Sequence, residues 1–110
     1  GYDIDHCFPF KHWPNNHLWN LLPTTPRLNS KKSDRLPSAE QLEAAAERIR
    51  DWWHRAYTQT EYEPRFYEEA SAALPLHREQ SSTLDELLTG VRRQRVRLRT
   101  DQQIAEWSME

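Results

Sequence analysis

Short apolar runs alternate with proline- and asparagine-rich turns over the first 37 residues, and from residue 38 onward apolar positions recur at helical spacing. Gly1 to His6 reads as a strand, ended by Phe8-Pro9-Phe10, where Pro9 removes a ladder donor. Turn chemistry in Pro14-Asn15-Asn16 marks residues 11–17 as a loop. A second apolar run, Leu18 to Leu22, predicts a second strand, with Pro23 and Pro26 bracketing the turn that follows. Thr24 or Thr25 can cap a short helix from about Pro26 to Lys32, with Pro26 near its first position. The order is strand, loop, strand, helix.

Ser38 with Gln41 three residues on is a capping-box pattern. From there Leu42, Ala45, Ile49, Trp52, Trp53 and Ala56 predict an amphipathic helix to about Tyr57. Two adjacent Trp cannot share one direction; packing of both on the core is the plain expectation, with base stacking by one of them as the alternative. Tyr62-Glu63-Pro64 opens a short helix to about Ala73, ended by Pro75. Ser81-Ser82-Thr83 caps a third, through Leu84, Leu87, Leu88 and Val91, which Gly90 weakens. Arg95-Val96-Arg97-Leu98-Arg99 alternates with a period of two, so a strand or a frayed end is also allowed there, and Ile104 to Trp107 suggests a last helical turn or two.

Composition narrows the class. With 110 residues the chain is one domain or a piece of a larger protein, and a strand that begins at residue 1 favours the second. Hydrophobic content is 36% and mean hydropathy −1.02, so the core must lean on aromatics, five Trp among them. No apolar run approaches the ~20 residues of a membrane span, and no leader precedes the first strand, so a soluble, cytoplasmic protein with no membrane partner is expected. The single cysteine, Cys7, excludes an internal disulfide and a zinc site of several thiolates; it reads as a small buried apolar side chain. Net charge is −2, but it is unevenly spread. Residues 1–37 and 91–110 are each +2, whereas residues 38–90 hold five Arg against eleven acids. A phosphate-binding surface would have to come from the ends.

The chemistry concentrates in Asp3 to Pro37. Metal-dependent phosphodiester cleavage needs a neutral imidazole to deprotonate water and hard oxygen ligands for a divalent cation. His6 can supply the first, since an imidazole titrates near pH ~6.5, and Asp5 a ligand. Neighbours on a flat strand point to opposite faces, so Asp5 and His6 share a site only if the strand bends there. With Asn20 and Asn29 at their spacings, the stretch resembles an HNH endonuclease domain, the ββα-metal (His-Me finger) nucleases also found in restriction enzymes, colicins and RNA-guided CRISPR nucleases.

The resemblance implies an α+β fold: a ββα-metal core over residues 1–37 and a mainly α-helical C-terminal extension over residues 38–110 that packs on it. It implies His6 as general base, Asp5 and Asn29 as ligands of Mg²⁺ (or Mn²⁺), and Asn20 as the central Asn that ties loop to strand, an H-N-N version of H-N-H. Hydrolysis would leave a 5′-phosphate and a 3′-hydroxyl. Many relatives carry a Cys-x-x-Cys pair where Thr25 and Leu28 stand, so the structural zinc is absent here and the helical extension is a candidate replacement. Asn29-Ser30-Lys31-Lys32-Ser33-Asp34 resembles the corresponding segment of the CRISPR-type domains. Lys32 stands where a lysine can contact a phosphate, with Lys31 and Arg35 as further nucleic-acid contacts; the alternative is a basic solvated helix face.

Arg92, Arg93, Arg95, Arg97 and Arg99 form the densest basic patch, which can track a DNA backbone or pair with the acidic middle. His12 and His17 read as loop and turn hydrogen bonding, with a substrate contact or an accessory metal ligand as the alternative. The expected partner is DNA, with guide RNA or other subunits if the chain is the cleavage module of a bacterial defence or CRISPR-type effector. The competing expectation is a silent HNH-like module that binds nucleic acid or docks in a complex.

Overall fold

The structure, a computed structural model, describes residues 3–9, 11, 13–24, 35–76 and 83–108. Strand β1 (Asp3–His6) pairs antiparallel with β2 (Leu21–Thr24), Asp3 opposite Thr24 and His6 opposite Leu21. The second strand starts later than the apolar run suggests, because Leu18–Asn20 curls into one 3-10 turn. Side chains account for the curl. Glu69 Oε1 accepts the Leu18 N–H at 2.9 Å, satisfying a donor that the turn leaves open, and Trp53 Nε1 donates to the Trp19 carbonyl at 3.1 Å. Pro23 lies inside β2 rather than after it; a two-stranded sheet is all edge, where proline is tolerated. The helix expected to carry Asn29 lies outside the described residues.

Helix α1 (Ala39–Trp53) begins where the capping pattern places it, with Ser38 Oγ accepting the Gln41 N–H at 3.0 Å. Leu42, Ile49 and Trp53 are buried, one stripe of the helix. It runs straight into a π turn, His54–Thr58, which widens the winding so that both Tyr57 and Thr58 turn inward. Helix α2 (Glu63–Ala73) has Pro64 in its first turn and stops short of Pro75. Helix α3 (Leu84–Gln102) is capped by Thr83, whose hydroxyl oxygen accepts the Glu86 N–H at 3.2 Å. The alternating stretch Arg95 to Arg99 is part of this helix, since Leu87, Leu88, Val91, Gln94 and Leu98 bury at helical spacing and leave Val96 exposed.

Gly90 is buried in α3, where the chain after α2 crosses close to the helix. A Cβ there would stand 2.6 Å from Leu76 Cδ2 and 3.0 Å from Leu74 Cβ. Gly90→Ala is therefore expected to lower stability: overpacking costs about 1–3 kcal/mol, against a helix-propensity gain of about 1 kcal/mol. A thermal melt reads the difference, and a raised Tm would show that residues 74–76 yield freely.

The C-terminal segment departs from its helical expectation. Gln103 adopts the left-handed conformation (φ 53°), which ends α3, and Arg99 Nη1 donates to the Ile104 carbonyl at 2.8 Å. The chain then forms β4 (Glu106–Trp107), parallel to β3 (Leu36–Pro37). Both short strands thus pin the tail to the junction that precedes α1. The fold is mixed α+β. One core runs through it, with Phe8, Trp19, Trp53 and Phe66 fully buried, so the hairpin and the helices share their apolar interior. Among the described residues no helix is long and apolar enough to cross a membrane.

Candidate active site

Strand β1 ends at His6 because the chain bends immediately after it: the Phe8 N–H turns inward onto Asn20 Oδ1 at 2.9 Å. Asn20 is wholly buried, and a buried amide must have its groups satisfied. Its Nδ2 donates to the Asn15 carbonyl at 2.9 Å and to the Phe8 carbonyl at 3.4 Å, while its own backbone carbonyl accepts the Cys7 N–H at 2.8 Å. One side chain thereby holds the end of β1, the loop and the start of β2 together.

The bend brings Asp5 and His6 to the same place. His6 Nδ1 stands 3.8 Å from Asp5 Oδ1, and both side chains are partly exposed, 23% and 37%. On the other side of the ring, Nε2 lies 2.7 Å from Asn16 Oδ1. An amide oxygen only accepts, so Nε2 carries the proton there and Nδ1 is the basic nitrogen of the neutral imidazole. A hydrogen-bonded ring nitrogen of this kind fixes both tautomer and ring orientation.

The loop that presents Asn16 is itself knotted. Asn15 is buried; its Oδ1 accepts the His17 N–H at 2.9 Å, an Asx-type turn, and its Nδ2 lies 3.2 Å from His17 Nδ1. Trp19 Nε1 donates to that same His17 nitrogen at 3.2 Å. His17 is thus engaged in loop hydrogen bonding. His12 lies outside the described residues.

The helices grip β2 from behind. The Leu21 carbonyl, opposite His6, accepts from Trp52 Nε1 at 3.1 Å and from the Tyr57 hydroxyl at 3.4 Å. Burial pushes the Tyr57 hydroxyl above its ordinary range, which keeps it a donor. Both tryptophans of the adjacent pair therefore donate to this one strand and its turn. Both tryptophans pack on the core as expected, while their hydrogen bonds to β2 and its turn, and the part of Asn16, were not read from the sequence. The Trp pair, placed on a helix that faces the hairpin, was the available sign of the first, and the Asn15-Asn16 dipeptide in the loop was that of the second.

Asn29, Lys31 and Lys32 lie outside the described residues. Arg35 is exposed at the approach to β3. The C-terminal arginines are engaged within the chain: Arg92 Nε stands 2.6 Å from Glu43 Oε2, Arg95 Nη1 2.6 Å from Glu106 Oε2, and Arg93 Nη1 donates to the Pro75 carbonyl at 3.5 Å. The Arg92 guanidinium holds the Glu43 carboxyl below its ordinary range through their hydrogen bonds. Pairing with the acidic middle is seen for Arg92, through Glu43, whereas Arg95 pairs with Glu106 of the C-terminal end itself.

Residues 1–38 match the HNH endonuclease family. The match covers the hairpin, His6, Asp5, Asn20 and the segment that carries Asn29, about a third of the chain, and its family description is of nuclease type. No curated protein and no solved structure matches the chain. HNH nucleases are generally metal-dependent, and in the matched residues Asp5 offers a carboxylate. Asp5 is a partly exposed hard oxygen beside an imidazole. Among the described residues no group of three or more His, Cys, Asp or Glu side chains stands together. A cation that keeps most of its water does not need one.

Proposed function

We propose that the chain is a metal-dependent HNH endonuclease domain that hydrolyses DNA phosphodiester bonds, with His6 as general base. The observation that carries this reading is the pairing of His6, oriented by Asn16 at 2.7 Å, with Asp5 at 3.8 Å inside the family match. Asp5, with Asn29, would hold Mg²⁺ or Mn²⁺. When bound, the cation supplies charge stabilisation to a phosphate oxygen. His6 takes a proton from the attacking water at Nδ1, and Asn16 holds the ring so that this nitrogen faces Asp5 and the phosphate. Asn20 acts one step back, by fixing the bend that puts His6 and Asp5 on one side. Lys32 is proposed as a phosphate contact beside Lys31 and Arg35.

The test is nicking of supercoiled plasmid with Mg²⁺, with a chelator control. Metal-dependent nicks support the reading, and a folded protein that never nicks would leave a silent HNH-like module in its place. The resemblance of residues 29–34 to CRISPR-type domains also suggests the cleavage module of a larger effector, for which attachment to its parent would raise the rate.

Asn16 gives a separate prediction. Asn16→Ala removes one orienting hydrogen bond worth about 1 kcal/mol or slightly more, so kcat is expected to fall about tenfold with KM unchanged. Asn16→Asp keeps an acceptor oxygen and is expected to retain most of the rate. An unchanged kcat in Asn16→Ala would show that the ring is held by other groups.

A further inference from the structure

Beside the hairpin the described residues line a groove of about 630 Å³. Cys7 and Leu22 line it from the hairpin, and Leu42, Ala45, Arg48, Ile49 and Trp52 from α1. Cys7, the residue after His6, lines the groove, so the groove reaches the end of β1 that carries the candidate base. Its floor is apolar, with Leu42, Ile49 and the half-buried ring of Trp52.

Its rim carries charge. Five of the ten described arginines are matched to acids: Arg50 to Asp85, Arg65 to Glu69, Arg92 to Glu43, and both Arg95 and Arg99 to Glu106. Arg48 and Arg55 line the groove, are exposed, and have no acidic partner among the described residues. They stand seven residues apart, two helical turns, with Trp52 between them on the same side of α1 and the π turn. Two unneutralised guanidiniums spaced along an apolar wall with an aromatic ring between them suit a chain of phosphates whose bases need a surface to lie on. The groove volume lies in the range that holds a drug-sized molecule, so it admits a strand segment rather than a duplex.

We propose that this groove seats a single-stranded segment of the nucleic acid beside the scissile phosphate, with Arg48 and Arg55 on its phosphates and Trp52 against a base. The assignment rests on the nuclease reading for what happens at His6, but binding in the groove does not depend on cleavage. Asp51, also exposed on this rim, works against it by repelling the same phosphates.

The experiment uses the whole chain and a fluorescent oligodeoxythymidine in chelator, so that nothing is cut, with anisotropy read across a salt series. Arg48→Gln/Arg55→Gln is expected to weaken binding at least tenfold and to flatten the log–log salt slope by about 1.4, two phosphate contacts at ~0.7 each for a single strand. Asp51→Asn is expected to tighten binding, and Arg50→Gln, whose guanidinium is already paired with Asp85, to leave it unchanged. Circular dichroism checks that each variant is folded. The proposal is overturned if the double variant binds like wild type with the same slope, if Asp51→Asn does not tighten binding, or if the folded wild type does not bind the oligonucleotide. A wild type that binds through these arginines but never nicks plasmid sinks the nuclease reading and leaves the groove standing. One that nicks while the double variant keeps its affinity does the reverse.

Discussion

Replacing His6 with alanine is expected to lower Mg²⁺-dependent nicking of supercoiled plasmid by about 10²- to 10⁴-fold, the usual contribution of a positioned general base. The side chain is partly exposed, bonded to Asn16 at 2.7 Å and close to Asp5. Removing it takes away no part of the buried core, so the variant should melt near wild type. Asp5→Ala should also lose nicking, and raising Mg²⁺ should recover part of that loss but none of the loss at His6, because Asp5 is assigned to the cation and His6 is not. Equal nicking by wild type and His6→Ala would mean that another group removes the proton or that the activity belongs to a contaminant. Binding of uncut DNA in chelator should be the same for wild type and His6→Ala, which separates a lost base from a lost surface.

The parts of this arrangement that could be read from residues are those governed by local chemistry. Ser38 with Gln41 fixed the start of α1, and Thr83 the start of α3, because a cap needs only a side chain and an N–H three residues away. The turn Leu18–Asn20 was not legible, since an apolar run of this length suits a strand and only Glu69 and Trp53, distant in sequence, curl it. The tail failed for the same kind of reason. Ile104 to Trp107 has helical spacing, but the left-handed Gln103 and the partner strand at Leu36–Pro37 decide its conformation. At the site, His6 and Asp5 were visible as a motif, whereas Asn16 became visible only once the loop carried it ten residues back to the ring. The arginine patch misled in the opposite way: density of charge along the chain says nothing of the acids that the fold brings to it, and Glu43 and Glu106 meet Arg92 and Arg95 only in three dimensions.

Trp53→Ala is expected to be the most damaging single change outside the chemistry. The ring is wholly buried, packed edge-on to Phe66 with centroids 5.6 Å apart, and its Nε1 donates to the Trp19 carbonyl at 3.1 Å. Truncation of such a side chain costs about 3–5 kcal/mol, a large share of the ~5–15 kcal/mol that a domain has. A drop in Tm on the order of 15 °C is the corresponding readout. Trp53→Phe separates the two contributions: most of the apolar contact remains, the carbonyl of Trp19 loses its donor, and about 1–2 kcal/mol should be lost. Because Trp19 adjoins Asn20, which holds the bend at His6, the phenylalanine variant should lose nicking activity at temperatures where it is still folded. If Trp53→Phe nicks like wild type well below its Tm, the helices support the hairpin through burial alone, and the hydrogen bond to Trp19 has no part in shaping the site. If activity falls while the fold holds, the helices set the geometry of the hairpin that carries His6 and Asp5.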